Sequence, residues 1–255
     1  MPTPGPPRIA VFGDAAAAAH ALTDRVVEAL ARNPRLVLGL PTGRTPIAFY
    51  HELASRVERG ETDLSQATTF NLDEFVGIPA GHPGSFRSFM NAHLFNRVNL
   101  AAERIHFLDG AAADTVGECA RYEREIAAAG GIDILILGLG TNGHIGFNEP
   151  APALVARTHR VRLEPDTRDG NADLFGGDPA AVPPEALSMG IATILHARQV
   201  VLVATGRAKA AVVERLVRGP VTPELPGSFL QVHPDVEIML DGAAAAGLAG
   251  APDPI

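Results

Sequence analysis

The run Ile132–Leu139 is almost continuously apolar, with Asp133 as its only charged residue. A strand in which consecutive side chains are apolar has no face to present to water, so it must be covered on both faces. Such strands are typical of the interior of parallel sheets that have helices packed above and below. The run therefore predicts an α/β fold built around one deeply buried strand.

Short apolar runs and helical stretches alternate along the rest of the chain. The predicted strands are Arg8–Phe12, Leu36–Leu40, Thr68–Asn71, Ile105–Leu108, Ile132–Leu139, Gln199–Thr205 and Val236–Leu240. The predicted helices are Asp14–Asn33, Thr45–Arg59, Ser85–Asn96, Asp114–Ala129 and Arg207–Arg218. This alternation favours a doubly wound, mostly parallel sheet with helices on both faces, in a single domain over residues 1–255.

The segment Glu164–Pro184 interrupts the alternation. It is rich in Pro, Gly and Asp and shows little apolar periodicity, so the sequence predicts no regular element in it. A segment of this length without secondary structure inside a domain is usually a functional lid or is mobile. We interpret residues 164–184 as a lid, with an ordinary surface insertion as the alternative.

Composition excludes several classes of protein. Hydrophobic residues make up 46% and charged residues 20% of the 255 residues, so the chain can bury a large core and is not disordered. A net charge of −8 argues against general nucleic-acid binding, and no apolar run approaches the roughly 20 residues of a membrane span. Met1–Pro7 shows no signal peptide, and a single cysteine, Cys119, fits a reducing cytoplasm.

Unusual residues follow the second predicted strand, at the sheet edge where ligands bind in open parallel sheets. The loop there is Pro41-Thr42-Gly43-Arg44-Thr45-Pro46. Gly43 permits a close backbone approach, Thr45 can cap the next helix, and Pro46 suits its first turn. Exposed N–H groups and the helix dipole favour an anion, most simply a phosphate, with an ordinary turn as the alternative.

Two further strand ends carry groups that can move protons. Asp73 and Glu74 are adjacent carboxylates, which also suit the start of a helix. The loop Gly138–Pro150 follows the buried strand and holds His144 and Glu149 close together. A histidine beside a carboxylate can transfer protons near neutral pH, because the partner fixes its tautomer. The loop therefore predicts proton transfer, with a structural histidine as the alternative.

Among the 21 basic residues, only Lys209 is a lysine. It lies where a predicted strand ends and a helix begins, and the helix dipole disfavours a cation there unless it faces a ligand. Lys209 is thus a candidate contact for a phosphate or sugar oxyanion, with a solvated lysine as the alternative. No Cys or His spacing indicates a metal site, and P-loop, dinucleotide and nucleophile-elbow motifs are absent.

Several motifs, in order along the chain, resemble the glucosamine-6-phosphate deaminase family. They are Leu38-Gly-Leu-Pro-Thr-Gly-Arg-Thr-Pro46, Phe70-Asn-Leu-Asp-Glu-Phe-Val-Gly77, His82-Pro-Gly-Ser-Phe-Arg-Ser-Phe-Met90, Gly143-His-Ile-Gly-Phe-Asn-Glu-Pro150 and Ala204-Thr-Gly-Arg-Ala-Lys209. The Phe-Asn-Leu-Asp-Glu and His-Ile-Gly-Phe-Asn-Glu-Pro motifs are specific to that family. The related 6-phosphogluconolactonases share the Gly-His loop and the Thr-Gly-x-x-Lys turn but are not expected to carry Phe-Asn-Glu-Pro.

The resemblance implies conversion of glucosamine 6-phosphate to fructose 6-phosphate and ammonia, without a metal or an organic cofactor. Asp73 matches the base that removes the C2 proton and returns it to C1. His144 matches the residue that opens the pyranose ring, with Glu149 as its orienting partner. Lys209 and the loop Thr42–Thr45 match phosphate contacts.

Three residues depart from the family pattern. Asn142 stands where many members have an aspartate; it can hold the imidazole by a hydrogen bond but adds no charge. Asp173 stands in the lid where the family has a phosphate-binding arginine, and Arg44 stands where it has a small residue. Our hypothesis is that the guanidinium has moved from the lid to the loop. The alternative is that Asp173 points to solvent and the ligand differs.

The implied partner is a small-molecule hexosamine phosphate, with no nucleic acid and no membrane, and the sequence is compatible with a homo-oligomer. Two other functions compete with the deaminase. One is a hydrolase of the 6-phosphogluconolactonase type. The other is a non-catalytic sugar-phosphate sensor, which is expected to carry a DNA-binding helix-turn-helix that this sequence does not show. Retention of Asp73, His144 and Glu149 together favours catalysis.

Some members of the family are activated by N-acetylglucosamine 6-phosphate at a second phosphate site, to which two serines, an arginine and a lysine contribute. The corresponding positions here are Pro152, Ala153, His159 and Val161. Arg160 and Arg162 lie nearby, but in a strand they point to the face opposite His159 and Val161. The sequence therefore predicts no activation by this ligand.

Overall fold

Ten strands form two sheets in the computed structural model, which describes residues 6–248. The strands are β1 (Arg8–Phe12), β2 (Val37–Leu40), β3 (Thr68–Asn71), β4 (Asp73–Phe75), β5 (Ile105–His106), β6 (Ile134–Gly138), β7 (His159–Arg162), β8 (Glu185–Ser188), β9 (Gln199–Ala204) and β10 (Val236–Asp241). Seven strands form a parallel sheet in the order β1-β10-β9-β6-β2-β3-β5. These are the seven strands that the sequence predicts, so the doubly wound α/β fold is confirmed.

Helices flank this sheet, and three of them begin at a side-chain cap. The helices are α1 (Ala15–Arg32), α2 (Ile47–Glu58), α3 (Phe86–His93), α4 (Thr115–Ala128), α5 (Pro165–Asn171), α6 (Ile191–Leu195) and α7 (Ala210–Arg218). Asp14 accepts a hydrogen bond from an N–H group in the first turn of α1, and Ser85 and Asp114 do the same for α3 and α4. Each cap satisfies a backbone donor that the helix itself leaves without a partner.

The buried strand β6 separates two apolar layers. Leu135 and Leu137 pack in one layer with Tyr122 of α4. Ile134 and Ile136 pack in the other layer, together with apolar side chains of α1 and α2. Successive side chains of a strand point to opposite faces, so a continuous apolar run fills both layers at once. The predicted burial of this run on both faces is confirmed.

A second sheet, which the sequence does not predict, contains three antiparallel strands in the order β4-β8-β7. Strand β4 begins at Asp73, two residues after the end of β3, and Asp73 pairs with Ser188 of β8. Apolar side chains pack on this sheet as a third cluster: Phe75, Phe86, Phe147, Leu163, Val182 and Ala186. Because β4 has three residues, two of them carboxylates, it shows no hydrophobic period that a sequence pattern could reveal.

The lid segment, residues 164–184, has more regular structure than the sequence predicts. It contains α5 and two short 3₁₀ helices, Ala172–Phe175 and Pro179–Ala181. The guanidinium of Arg168 donates to the carbonyls of Pro179, at 2.9 Å, and Val182, at 3.2 Å. The expectation of a segment without regular elements is therefore wrong, because side-chain hydrogen bonds hold these helical turns where apolar periodicity is missing.

The described residues leave out both ends of the chain. The prediction of one domain over residues 1–255 extends into residues 1–5 and 249–255, which lie outside the described part, as does most of Met1–Pro7. Between residues 6 and 248, no helix combines the length and the apolar character that a membrane crossing requires.

Candidate active site

A cavity of about 570 Å³ opens where β2, β6 and β9 end, and the loops after these strands line it together with β4 and the lid segment. The sequence-predicted residues that line it are Thr42, Gly43, Arg44, Thr45, Asp73, His144 and Lys209. Asn142 and Glu149 do not line the cavity but contact His144, which does. A cavity of this size and position is typical of small-molecule sites in open α/β sheets.

The two adjacent carboxylates on β4 face opposite ways, as strand geometry requires. Asp73 lines the cavity, and its side chain is almost entirely buried. Glu74 accepts hydrogen bonds from the backbone N–H groups of Phe86, at 2.9 Å, and Arg87, at 3.0 Å, at the start of α3. Glu74 thus caps α3 from a strand, whereas Asp73 is the carboxylate that a ligand can meet.

Burial raises the pKa of Asp73 to about 8, with a smaller contribution from the negative charge of Glu74. The loop that follows β6 approaches this carboxylate at Gly146, which has a φ of 54°. A Cβ at Gly146 would lie 3.1 Å from Ser188 Oγ and 3.7 Å from Asp73 Oδ2. The glycine therefore lets the backbone pass beside the carboxylate while keeping a positive φ that L-residues avoid.

His144 and Glu149 form a pair in the loop after β6. The Nδ1 atom of His144 lies 3.3 Å from Oε2 of Glu149, and the side chain of Glu149 is 7% exposed. The imidazole packs on the backbone of Gly140, where a Cβ would lie 2.5 Å from Nδ1. Burial by itself raises the pKa of Glu149, but hydrogen bonding and charge from His144, with further hydrogen bonds, bring it below its ordinary value. Glu149 is therefore an ionised carboxylate beside the imidazole.

Asn142 supports this pair, but not by the route that the sequence suggests. Its Nδ2 donates to Oε2 of Glu149 at 2.8 Å, and its Oδ1 accepts the backbone N–H of His144 at 3.1 Å. The expected hydrogen bond from Asn142 to the imidazole itself is thus replaced by bonds to the carboxylate and to the backbone. The tight turn at Gly143, with a φ of 96°, places Asn142 beside Glu149 rather than beside the ring.

Thr167 of α5 is a contact of the site that sequence reasoning missed. Its hydroxyl donates to Oε1 of Glu149 at 2.5 Å, and the residue is 5% exposed. Thr167 belongs to the Thr-Arg motif of the lid, directly before Arg168. A threonine in a polar segment, however, gives no indication of its hydrogen-bond partner. The lid segment therefore reaches the His144–Glu149 pair directly.

The loop between β2 and α2 lines the cavity with Thr42, Gly43, Arg44 and Thr45. Gly43 has a φ of 103°, a conformation that favours glycine, and the hydroxyl of buried Tyr50 donates to the carbonyl of Pro41. Helix α2 begins at Ile47, and Pro46 occupies the cap position without a side-chain hydrogen bond. The predicted cap by Thr45 is thus wrong because the helix starts one residue too late for it. The first turn of α2 is left without a side-chain acceptor, which suits an anion.

Lys209 lies in the 3₁₀ turn Arg207–Lys209 that precedes α7. Burial lowers its pKa, and the positive charge of Arg44 lowers it further, so the two cations approach the same part of the cavity. The N–H of Gly206, at a φ of 87°, donates to both carboxylate oxygens of Asp241, at 3.0 and 2.9 Å. The turn that carries Lys209 is therefore fixed to the end of β10, and the cavity has a cationic end.

Arg44 and Asp173 face each other across the entrance, with 3.9 Å between Nη1 and Oδ2. The two side chains are 82% and 81% exposed, and such exposed pairs contribute roughly 0–1 kcal/mol. Asp173 is therefore mostly exposed to solvent and at the same time within ion-pair distance of the loop arginine. The guanidinium of Arg44 therefore lies close to position 173, where the family has its phosphate-binding arginine.

Metal ligation requires several donors close together. In the part of the chain that the structure describes, no three His, Cys, Asp or Glu side chains lie close enough to one another to hold a metal ion. Another His–Glu pair, His106 and Glu125, at 2.9 Å, lies away from the cavity that contains His144.

The chain is similar to known proteins over most of its length. Residues 14–238 match the family model of glucosamine-6-phosphate isomerases/6-phosphogluconolactonase. A glucosamine-6-phosphate deaminase of Rhodopirellula baltica is 49% identical over 238 residues, which cover 93% of this chain and 94% of the relative. A glucosamine-6-phosphate deaminase of Beutenbergia cavernae is 45% identical over 240 residues, with 94% and 92% covered.

Solved structures show a similarity to the same group of proteins. A monomeric glucosamine-6-phosphate deaminase superimposes with a TM-score of 0.91 at 34% identity, covering 94% of this chain and 99% of that one. A 6-phosphogluconolactonase of Trypanosoma cruzi shares the fold with a TM-score of 0.76 at 22% identity, over 95% and 97% of the chains. The chain therefore belongs to the family of glucosamine-6-phosphate isomerases and 6-phosphogluconolactonases.

Proposed function

We propose that this chain is a glucosamine-6-phosphate deaminase, which converts glucosamine 6-phosphate and water into fructose 6-phosphate and ammonia. The observation that carries the proposal is that Asp73 and the His144–Glu149 pair open into the same cavity as the cationic end formed by Arg44 and Lys209. A sugar phosphate has an anion at one end and the reacting carbons at the other. The relatives named as deaminases support this choice over lactone hydrolysis.

The phosphate binds at the cationic end. Lys209 and Arg44 supply positive charge, and the backbone N–H groups around Gly43 and the first turn of α2 supply donors. Lys209 lies where the dipole of α7 disfavours a cation, and a bound dianion offsets that unfavourable position. This contact fixes the sugar so that its C1 and C2 atoms lie toward the proton-transfer groups.

His144 opens the pyranose ring by moving a proton from the C1 hydroxyl to the ring oxygen. Its Nδ1 faces Glu149, so Nε2 is the atom that exchanges the proton with the sugar. The ionised Glu149 stabilises the imidazolium that forms during the transfer. Ring opening leaves an aldehyde at C1 beside the ammonium group at C2.

Asp73 then moves a proton between the two adjacent carbons. The carboxylate takes the C2 proton while the ammonium group passes one proton to the aldehyde oxygen, which gives an enolamine. Asp73 returns its proton to C1, and the product is a protonated imine at C2. Water adds to that carbon, and ammonium ion leaves with the ketone of fructose 6-phosphate remaining, so atoms and charge balance.

The substrate itself makes Asp73 a base. In the empty site the pKa of Asp73 is raised to about 8, so the carboxyl is mainly protonated near neutral pH. A positive charge within about 4–6 Å lowers a carboxyl pKa by about 1–3 units. The ammonium group of the substrate provides that charge, so binding ionises the carboxyl at the step that needs it.

The test is a paired assay of the purified protein. Glucosamine 6-phosphate should yield ammonia and fructose 6-phosphate in equal amounts, measured by separate coupled enzymes. The second arm supplies 6-phosphogluconolactone and follows acid release. Lactone hydrolysis without ammonia release from the amino sugar would overturn the proposal, and galactosamine 6-phosphate in the same assay defines the preferred epimer.

We also propose a cytoplasmic location, which the single cysteine, Cys119, supports. The homo-oligomeric state stays a prediction that sedimentation velocity measures directly.

A further inference from the structure

The carboxylate of Glu149 is held at both of its oxygens, and the two oxygens depend on different parts of the fold. Oε2 contacts residues of its own loop: Asn142 donates to it at 2.8 Å, and His144 Nδ1 lies 3.3 Å away. Oε1 accepts the hydroxyl of Thr167 at 2.5 Å, from the lid segment. An ionised carboxylate can only accept, so Thr167 is the donor. The orientation of Glu149 therefore depends on both the loop and the lid.

The loop that carries Glu149 is fixed to the body of the protein. The side-chain amide of its neighbour Asn148 donates to the carbonyl of Ile145, at 2.9 Å, and to that of Met189, at 2.8 Å. The backbone N–H of Phe147 donates to Ser188 Oγ at 3.0 Å. These contacts do not involve the lid segment, so the loop stays in place whether or not the lid is docked.

Thr167, in contrast, is held within the lid segment. Its backbone N–H donates to the carbonyl of Glu164 at 3.1 Å, and its own carbonyl accepts from Asn171 at 2.8 Å. Arg168 beside it fastens α5 to the last part of the same segment. Thr167 is thus held as part of α5, and its hydrogen bond to Glu149 joins α5 to the loop after β6.

We propose that Thr167 is a positioning residue whose hydroxyl orients Glu149, and through it His144, only while the lid segment covers the cavity. The inference rests on the proposed function, because it assigns Thr167 to the ring-opening step. Covering the cavity excludes water, and the same movement completes the hydrogen bonding of the proton-transfer pair. Ring opening is thereby restricted to the covered state, in which the reactive open-chain sugar is protected.

The hydroxyl is the group that matters. Glu149 and Thr167 are 7% and 5% exposed, so water does not readily replace a lost donor at Oε1. Without it, the carboxylate is free to rotate away from His144, and its pKa rises because one of the hydrogen bonds that lower it is gone. Valine keeps the shape of threonine without the donor, and serine keeps the donor without the methyl group.

The chain offers a matched control. Thr193 donates to Oε1 of Glu123, also at 2.5 Å, is 4% exposed, and does not line the cavity. Thr193→Val therefore removes the same kind of bond from a comparable environment. Its effect on folding stability should match that of Thr167→Val, whereas its effect on ring opening should be absent.

The experiment measures ammonia release from cyclic glucosamine 6-phosphate as a function of substrate concentration and pH, for the wild type and three variants. We expect Thr167→Val to lower kcat by about ten- to a hundredfold with a smaller change in KM, as for loss of a charge-assisted hydrogen bond. The acidic limb of its pH profile should move to higher pH, because Glu149 becomes protonated more readily. Thr167→Ser should restore most of kcat, and Thr193→Val should keep the wild-type profile.

Three results would overturn the inference: a Thr167→Val variant that only loses melting temperature, one that raises KM with kcat unchanged, or a Thr167→Ser variant that fails to restore kcat. Each of them presupposes an active wild-type protein. Failure of the proposed function is visible separately, since the wild type would then release no ammonia.

Discussion

The strand-end loops and the lid segment both line the cavity, but their positions have different sources. The loops that carry Gly43, His144 and Lys209 continue directly from β2, β6 and β9, whose pairing and buried side chains fix them. The lid segment lies outside that sheet: Val182 and Phe175 pack in the apolar cluster of the second sheet, and Thr167 bonds to Glu149. The loops therefore supply chemistry at positions set by the sheet, whereas the lid supplies interactions that exist only while it is docked.

This difference predicts an order of effects. Changes in groups positioned by strands should abolish the reaction, and changes at the entrance or outside the cavity should alter binding or regulation. A segment that lies outside the central sheet opens at a lower free energy than the core does.

The largest effect is expected for Asp73→Asn. The amide cannot accept the C2 proton, so turnover should fall by at least ~10²-fold, the scale of general-base loss, while substrate still binds. Ammonia release and equilibrium binding are measured on the same preparation. Asp133→Asn is the matched control, because Asp133 precedes β6 at the end opposite the cavity. Near-normal turnover in Asp73→Asn would contradict the assignment.

The same variant has a thermodynamic signature. The pKa of Asp73 is about 8 in the folded protein against an ordinary value of 3.8, so the native state keeps a proton that the unfolded chain releases. The free energy of unfolding therefore falls as the pH rises from about 4 to about 8. In Asp73→Asn, the free energy of unfolding should fall less steeply over this pH range. Urea denaturation at several pH values measures the difference.

A selective effect is expected for His144→Gln. The variant lacks the proton exchange for ring opening, so reaction of the cyclic sugar should be impaired far more than reaction of an open-chain analogue. The control is His106→Gln, which removes a different His–Glu pair, at 2.9 Å, outside the cavity. Equal losses on both substrates would mean that His144 acts at another step.

A binding effect is expected at the entrance. Arg44→Ser should raise KM by ~10-fold or more if a charge-assisted hydrogen bond to phosphate is lost. Asp173→Asn should lower KM modestly, because its carboxylate then no longer competes with phosphate for Arg44.

A double-mutant cycle of Arg44→Ser and Asp173→Asn separates phosphate binding by Arg44 from the competition that Asp173 exerts. In the double variant, Asp173→Asn should have no effect on KM, since the arginine it competes for is absent. Arg207→Ser is the control, an exposed arginine in the neighbouring turn that does not line the cavity. An unchanged KM in Arg44→Ser would show that the guanidinium has not replaced the lid arginine.

The smallest effect is expected from N-acetylglucosamine 6-phosphate. Arg160 and Arg162 are exposed, whereas His159 and Val161 are half-buried, which confirms the alternation expected of a strand. Burial lowers the pKa of His159, so this imidazole is neutral near pH 7, and Arg160 pairs with Glu185. We expect hyperbolic kinetics with weak competition at most. A sigmoidal curve that this ligand straightens would contradict the prediction.

The sequence predicts the central sheet well because most of its strands lie in apolar runs that turn residues separate from the predicted helices. The bounds of β1 and β3 agree residue for residue, and β6 lies within the predicted apolar run. Strands β4 and β8 are not predicted because they have three and four residues, too few to show an alternating apolar pattern. Strand β7 completes their sheet, and the sequence suggests it only as a condition for where Arg160 and Arg162 point.

The site shows the same limit. Asp73 and His144 stand out because they follow recognisable strands, and the structure places both in one cavity. The contacts of Asn142 and Thr167 with Glu149 depend on how a turn and a lid helix lie in space. No spacing along the chain encodes a hydrogen bond between residues on two separate elements.

The arrangement of Asp73 and Glu74 also constrains how this sequence can vary. The two carboxylates differ by one step along β4, and a slip of one residue against β8 would exchange them. The proton-transfer group would then cap α3, and the cap would enter the cavity. An insertion or deletion near Leu72 shifts the register of β4 against β8, whereas a substitution there does not. Insertions and deletions are therefore costlier than substitutions at this point, because the register decides which carboxylate faces the cavity.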